Sequence, residues 1–429
     1  MSIYNDDELV APSWINKEFL HKVLSEYEHD DDIEIVEFDM SPASLKGDHY
    51  ASIMFRCKVT YKFCKTSSVM KRSMIIKTLP VEENMKREIL MQSRLFETEI
   101  DMYSRTLPKI EKILADCGEP TRLSAEIIYH SLEPHKVIIL EDLCEAGYDT
   151  VRGRFLSEDE IKAVYRKIAK FHAVSYMLGH SENEHDREEV TKYQDGIFST
   201  SMAMQNDLMA NGIKFFLDML SQHEEFKVYY DKVKAMQPKL AKTCKELYTA
   251  YKNNSTNLNC DKGDIYVLNH GDFHMKNLMF KFSKKNHMED LIMVDYQISC
   301  YAPSNIDIIY SQYMMLSSEL RLKRHELSQY YFEEFLKMLK KIGYRGEMPL
   351  FSNFQISGIK YRHFAIFLLS TFLPMVVGLL GKSMDELKDT DTKQIFENPN
   401  AISMVYHTPA FINEIRQFMP ILLNEGYLD

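Results

Sequence analysis

The segment His270-Gly271-Asp272-Phe273-His274-Met275-Lys276-Asn277, followed by Asp295 behind the apolar run Leu291-Ile292-Met293-Val294, restricts the fold more than any other feature of the chain. An Asp, an Asn five positions on and a second Asp are the side chains that phosphoryl transfer needs. The first accepts a hydroxyl proton, and the other two hold magnesium against phosphates. The group can assemble only if the chain doubles back. Asn277 to Phe282 reads as a short strand, Ser283 to Asn286 as a turn and the apolar run as a second strand, a hairpin that returns Asp295 towards Asp272. Each motif alone is common as a plain turn or strand end; their order and spacing together point to catalysis.

Upstream, the hydrophobic period changes along the chain. Trp14 to Tyr27 has helical spacing, whereas Ile33 to Phe38 and Ile53 to Phe63 alternate as strands, and Ser73 to Leu79 reads as a further strand. Glu82 to Leu107 is expected as one long helix with Phe96, Ile100 and Tyr103 on its buried face. Ile127 to Tyr129 and Val137 to Leu140 suit a hairpin turned at Pro134. After Leu143 the pattern becomes helical. Ser157-Glu158-Asp159-Glu160 is a capping box opening a helix to Gly179. Ser181 to Val190 reads as a charged connection, Ser199 to Tyr251 as two or three helices, and most of Ile306 to Leu423 as helices.

Other candidate site residues occur in a consistent order. The turn from Lys46 to Ser52 joins two strands, and its backbone N–H groups at Gly47, with the Ser52 hydroxyl, can cover phosphates; the alternative is a plain hairpin turn. Lys77 lies inside an apolar strand, where an unpaired ammonium is costly, so a phosphate contact braced by a helix carboxylate is expected. Glu99, three residues after Phe96 and four before Tyr103, lies closer to the buried helix face than Glu97 and is the preferred brace. The strand end Ile138-Ile139-Leu140-Glu141-Asp142-Leu143 is placed as a hinge at 141–144, where the Glu141 carbonyl and Leu143 N–H would meet adenine. Asp307, beside an apolar helix start, suits a cap or a hold on the catalytic loop.

Composition narrows the class. A length of 429 residues accommodates two sizeable cores, and the net charge of −11 argues against a general nucleic-acid binder. Seven scattered cysteines, an odd number without metal-ligand spacing, and an acidic start without a leader pattern fit a reducing cytoplasmic setting. The apolar run Phe364 to Gly381 contains Pro374 and Gly378 and sits at the short limit for a membrane span, so a buried helix is expected and no integral span.

On these residues the chain resembles the insect ecdysteroid kinase-like proteins, within the choline-kinase and aminoglycoside-phosphotransferase type of small-molecule kinase. The resemblance rests on Gly47 to Ser52, Lys77, Phe96-x-x-Glu99-x-x-x-Tyr103, Leu140 to Leu143, Phe171-His172-Ala173-x-Ser175-Tyr176, His270-Gly271-Asp272 with Asn277, and Asp295-Tyr296-Gln297. It implies an α+β, two-lobed protein-kinase-like fold. Residues 1–140 would form a small antiparallel-sheet lobe with the phosphate loop, Lys strand and Glu helix. Residues 141–429 would form a large, mostly helical lobe carrying the catalytic and metal-binding loops. It further implies ATP and Mg2+ as cofactors, Asp272 as catalytic base, Asn277 and Asp295 as metal ligands, and Lys77 with Glu99 orienting the phosphates.

The implied acceptor is a small hydroxylated molecule, an ecdysteroid or another hydrophobic or xenobiotic alcohol. A choline or ethanolamine kinase and a kinase-shaped binding protein without transfer activity are the alternatives. Two departures stand out: His49 replaces the usual Asn of the turn, and Tyr296-Gln297 follows Asp295 where protein kinases carry Phe-Gly. With no Arg before Asp272, the chain is not expected to be a protein kinase switched by activation-loop phosphorylation.

Overall fold

The computed structural model describes residues 9–43, 52–80, 85–198, 207–255, 263–380 and 399–429. The chain divides into two units, each with its own core. The first comprises the chain up to Pro108, Leu123–Asp149 and Leu278–Gln297; the second comprises Lys109–Arg122, Thr150–Asn277 and Ile298–Asp429.

In the first unit, strands β1 (Ile33–Pro42), β2 (Ile53–Phe63), β3 (Val69–Thr78), β4 (Ile127–Ser131) and β5 (Val137–Glu141) form an antiparallel sheet ordered β1-β2-β3-β5-β4. The alternation of β2 sets its orientation: Ile53, Phe55, Cys57, Val59 and Tyr61 are all buried. Cys57, Val59 and Tyr61 meet Leu20, Val23 and Leu24 from the helix Lys17–Glu28 in one core. That helix starts where Asn16 Oδ1 accepts from Phe19 N–H, 3.0 Å away. A smaller sheet joins β6 (Tyr148–Asp149), β8 (Leu278–Phe282) and β9 (Met288–Met293), with Leu278 opposite Met293. The expected hairpin is therefore present, and Asp295 leaves its second strand two residues after Met293.

The long helix expected from Glu82 to Leu107 is segmented. Met85–Gln92 and Leu95–Asp101 are separate helices, and a π-helical turn, Met102–Thr106, leads into Leu107–Asp116. Two local features explain the breaks. Ser93 Oγ donates back to Leu90 O at 3.0 Å, competing with the helical ladder, and Pro108 has no N–H to continue it.

The second unit is mainly helical. Glu158–Gly179 carries the expected capping box, with Ser157 and Glu160 bonding each other's backbone N–H. The segment read as a connection contains a helix, Glu184–Thr191, started by Asn183 Oδ1 accepting from His185 N–H; its buried face is confined to Val190 and Thr191, which makes the helical period hard to see. Between Asp207 and Ser255 lie four α-helices and two short 3-10 turns. These are more pieces than the two or three helices expected, because the 3-10 turns at Glu224–Phe226 and Gln237–Lys239 divide the helical pattern. A two-stranded ribbon of β7 (Tyr266–Asn269) and β10 (Cys300–Pro303) supports the loop at Asp272. The apolar run lies in the helix Arg362–Leu380, and Phe364, Ile366, Leu368 and Leu369 are fully buried in the helical core. No single helix among the described residues is long and apolar enough to cross a membrane. Phe351–Lys360 and Arg362–Gly378 reach that length only jointly, across a 62° bend.

Candidate functional site

In the first unit, Lys77 sits near the end of β3 opposite Met54, one strand away from the segment that begins at Ser52. Ser52 is buried; Gly47 and the rest of its turn up to Ala51 lie outside the described residues. The Lys77 Nζ donates to Glu99 Oε2 at 2.6 Å and to Asp295 Oδ1 at 2.7 Å. Glu97 instead accepts from Lys136, 2.9 Å away. Burial acts to lower the Lys77 pKa, but the Asp295 and Glu99 carboxylates outweigh it and hold the ammonium above its ordinary value. Burial, with the Asp295 charge beside it, pushes the Glu99 carboxyl upward against the pull of Lys77.

Asp295 is fixed through its backbone as well. Its φ of 67° is in the left-handed region, sparsely used by residues other than glycine. Its N–H donates to the Tyr103 hydroxyl at 3.3 Å, and Gln297 Nε2 donates to its Oδ2 at 3.2 Å. Tyr103, inside the π-helical turn, packs edge-on against Tyr296, whose hydroxyl donates to Leu123 O at 2.9 Å. Both sides of Asp295 are thus tied to buried rings.

The 141–144 segment of this unit is pinned by Asp142. Its carboxylate accepts from Arg56 Nε at 2.6 Å, Ser73 Oγ at 2.7 Å and Cys144 N–H at 3.2 Å, joining β2 and β3 to the chain beyond β5. Glu141 ends β5 opposite Met74. Leu143 is buried, and its carbonyl accepts from the N–H groups of Ala146 and Tyr148.

In the second unit, β7 delivers the loop. Asp307, fully buried in the first turn of the helix Asn305–Met314, accepts from His270 N–H at 2.6 Å and Gly271 N–H at 2.9 Å. Of the two roles open to Asp307, it holds the loop. His172 Nε2 lies 3.1 Å from the same carboxylate, while His172 Nδ1 meets the Tyr331 hydroxyl at 2.7 Å. Gly271 has φ of 86°, and a Cβ there would lie 2.1 Å from Ile298 O, so both backbone and space require glycine.

Each oxygen of Asp272 has a donor. Tyr310 O–H donates to Oδ1 at 2.9 Å, and Asn277 Nδ2 donates to Oδ2 and to the Asp272 carbonyl, each at 3.0 Å. His274 Nε2 lies 3.3 Å from Oδ1. Burial works to raise the Asp272 pKa, but the His274 and His270 imidazoles and the Tyr310 hydroxyl prevail and hold it well below the ordinary carboxylate range. Burial first, then the neighbouring Asp272 charge, keeps the Tyr310 phenol protonated, so it acts as donor. With the Asn277 amide N–H groups engaged by Asp272, the remaining polar atom of that side chain is its carbonyl oxygen. That oxygen in the second unit, and separately the Asp295 carboxylate in the first, are hard oxygen donors of the kind magnesium accepts.

The structure therefore gathers Lys77, Glu99 and Asp295 in one unit, and Asp272 and Asn277 in the other. Tyr310, His274, Gln297 and Asp142 also contact these residues or segments; the last three lie in motifs the sequence singled out, but none of the four was given a role of its own. Tyr310 follows Asp307 by three positions on one helix face, a spacing that could have pointed to it.

The model of the Ecdysteroid kinase-like family matches residues 46–344. In structure the chain is similar to an ethanolamine kinase of Plasmodium vivax, at 12% identity over 93% of this chain and 91% of that one, with a TM-score of 0.36. It is also similar to an aminoglycoside phosphotransferase of Alicyclobacillus acidocaldarius, at 10% identity over 86% and 90% of the two chains, with a TM-score of 0.34. No curated protein sequence matches.

Proposed function

The chain belongs to the ecdysteroid kinase-like family of phosphotransferases acting on alcohol groups of small molecules, and we propose that it transfers the γ-phosphoryl group of ATP, with magnesium, to a hydroxyl of an ecdysteroid or another hydrophobic alcohol. The observation that supports this most directly is the set of donors on Asp272. Tyr310 and Asn277 hold the two carboxylate oxygens, and Asp307 holds the backbone before it. A carboxylate so oriented is suited to align an acceptor hydroxyl and take its proton as the phosphoryl group departs from ATP. Its depressed pKa keeps it ionised at neutral pH, and a developing P–O bond makes the acceptor proton acidic enough to leave late in the transfer.

Lys77, braced by Glu99, would bind the nucleotide phosphates. Glu141 O and Leu143 N–H would receive adenine on the segment that Asp142 pins, and Gly47 and Ser52 would cover the phosphates. Asn277 and Asp295 would hold magnesium, which when bound offsets charge on the phosphates. Partly buried Phe372 lies 5.9 Å from the Tyr310 ring, and Met314 packs against the same core, so apolar side chains lie beside the Asp272 donor. This favours a hydrophobic acceptor. The six described cysteines are free thiols, in keeping with a cytoplasmic site of action; Cys260 lies outside the described residues.

The test is ATP binding with and without magnesium, together with transfer from γ-labelled ATP to a panel of ecdysteroids, other hydroxylated lipids, phenol glycosides and choline. Magnesium-strengthened ATP binding and transfer to the apolar alcohols are expected. Transfer to choline alone would replace the hydrophobic acceptor with a cationic one, and absence of ATP binding would overturn the reading.

A further inference from the structure

We infer that Tyr310 is a positioning residue that sets the rotation of the Asp272 carboxylate, an inference resting on the reading of Asp272 as the base. The helix Asn305–Met314 projects Asp307 and Tyr310 one turn apart on the same face. Asp307 takes the backbone N–H groups of His270 and Gly271, and Tyr310 donates to the Asp272 side chain, so one element grips the loop at both levels.

The geometry gives Tyr310 a task beyond packing. The terminal torsion of an aspartate is broad and roughly two-fold, so a backbone hold leaves the carboxylate plane free to turn. Asn277 restrains Oδ2 at 3.0 Å, yet a single donor allows rotation about its own contact. The Tyr310 O–H, 2.9 Å from Oδ1, supplies the second point that fixes the plane. His274 Nε2 is a weaker candidate for this, at 3.3 Å and from a more exposed ring on the loop itself. Tyr310 is only 3% exposed and packs against Phe372, so it is itself held in place. An acceptor hydroxyl must approach the carboxylate along a defined direction, and turning that plane misaligns it without disturbing phosphate binding.

The experiment uses the full chain with Tyr310→Phe, which keeps the ring and removes the donor. Crystal structures of the wild type and the variant would compare the Asp272 carboxylate, and transfer from ATP to ecdysone would be followed for kcat, for KM of ATP and for thermal stability. The expected result is a rotated carboxylate and a kcat lowered by about tenfold to a hundredfold, the range of one hydrogen bond to a charged group. The ATP KM should hold, and Tyr310→Phe should cost nothing further in an Asp272→Asn background.

An unrotated carboxylate would overturn the inference, whether or not ecdysone is an acceptor. So would an unchanged kcat in Tyr310→Phe while Asp272→Asn is inactive, an outcome that leaves the proposed function standing. Near-normal turnover in Asp272→Asn would instead remove the base, and with it the role given to Tyr310.

Discussion

The Lys77 ammonium donates to the Asp295 carboxylate at 2.7 Å, across 218 positions of sequence, inside a single folded unit. Because Glu99 shares the same ammonium, one buried cation balances a buried carboxylate, Glu99, and a partly exposed one, Asp295. Lys77→Met leaves those carboxylates facing each other without it. It should destabilise the protein by about 3 kcal/mol, the scale for breaking a buried pair, and abolish measurable transfer. Chemical denaturation beside a turnover assay checks both; a variant as stable as the wild type would show that the pair contributes nothing.

Gly271→Ala should damage the loop from within. The residue has φ of 86°, and the added Cβ would meet Ile298 O at 2.1 Å. A left-handed alanine alone costs about 1–2 kcal/mol, and displacement of Asp272 by even an ångström should lower turnover on the order of 10²-fold. Retained turnover in a folded Gly271→Ala protein would mean the loop can move at no cost to activity.

Asp307→Ala removes the acceptor from the His270 and Gly271 N–H groups. Each buried donor left without a partner costs about 1–3 kcal/mol, so the melting temperature and turnover should fall together. Asp307→Asn, which keeps one carbonyl acceptor, should lose less. Equal losses in the two variants would contradict this account of the loop.

A pH effect is expected in the helical unit. Side-chain hydrogen bonds from Lys341 and Lys170, with charge attraction adding to them, lower the Glu119 pKa from 4.5 to about 2. A depressed carboxylate stabilises the fold above its unfolded value, and that contribution disappears as pH falls from about 4.5 towards 2. Glu119→Gln should therefore lose stability relative to wild type at pH 6 and approach it at pH 2.5, as followed by urea denaturation. A difference independent of pH would rule out the charge as the cause.

Much of this arrangement was legible in the sequence because it follows a period. Alternation placed Ile53 to Tyr61 towards the core, helix spacing separated Glu99 from Glu97, and the turn at Ser283 implied the hairpin behind Asp295. Contacts between distant segments were less visible. Tyr310 looks like any core aromatic until the fold brings it to Asp272, and Asp142 gives no local sign of its bond to Arg56. The breaks after Gln92 and Asp101 depend on a serine back-bond and a proline that a hydrophobic pattern does not register. The phosphate turn around Gly47 lies outside the described residues, so its proposed role rests on sequence.

Acceptance of the alcohol proton by Asp272 during phosphoryl transfer is the step on which the proposed function turns. Its most direct test compares wild type with Asp272→Asn for magnesium-dependent transfer from γ-labelled ATP to ecdysone or another alcohol acceptor identified by the panel, with ATP affinity and melting temperature measured on the same preparations. Turnover of Asp272→Asn should be lower by several orders of magnitude, on the order of 10³-fold or more, with the fold and ATP affinity retained. Near-normal transfer by a folded Asp272→Asn protein would contradict it.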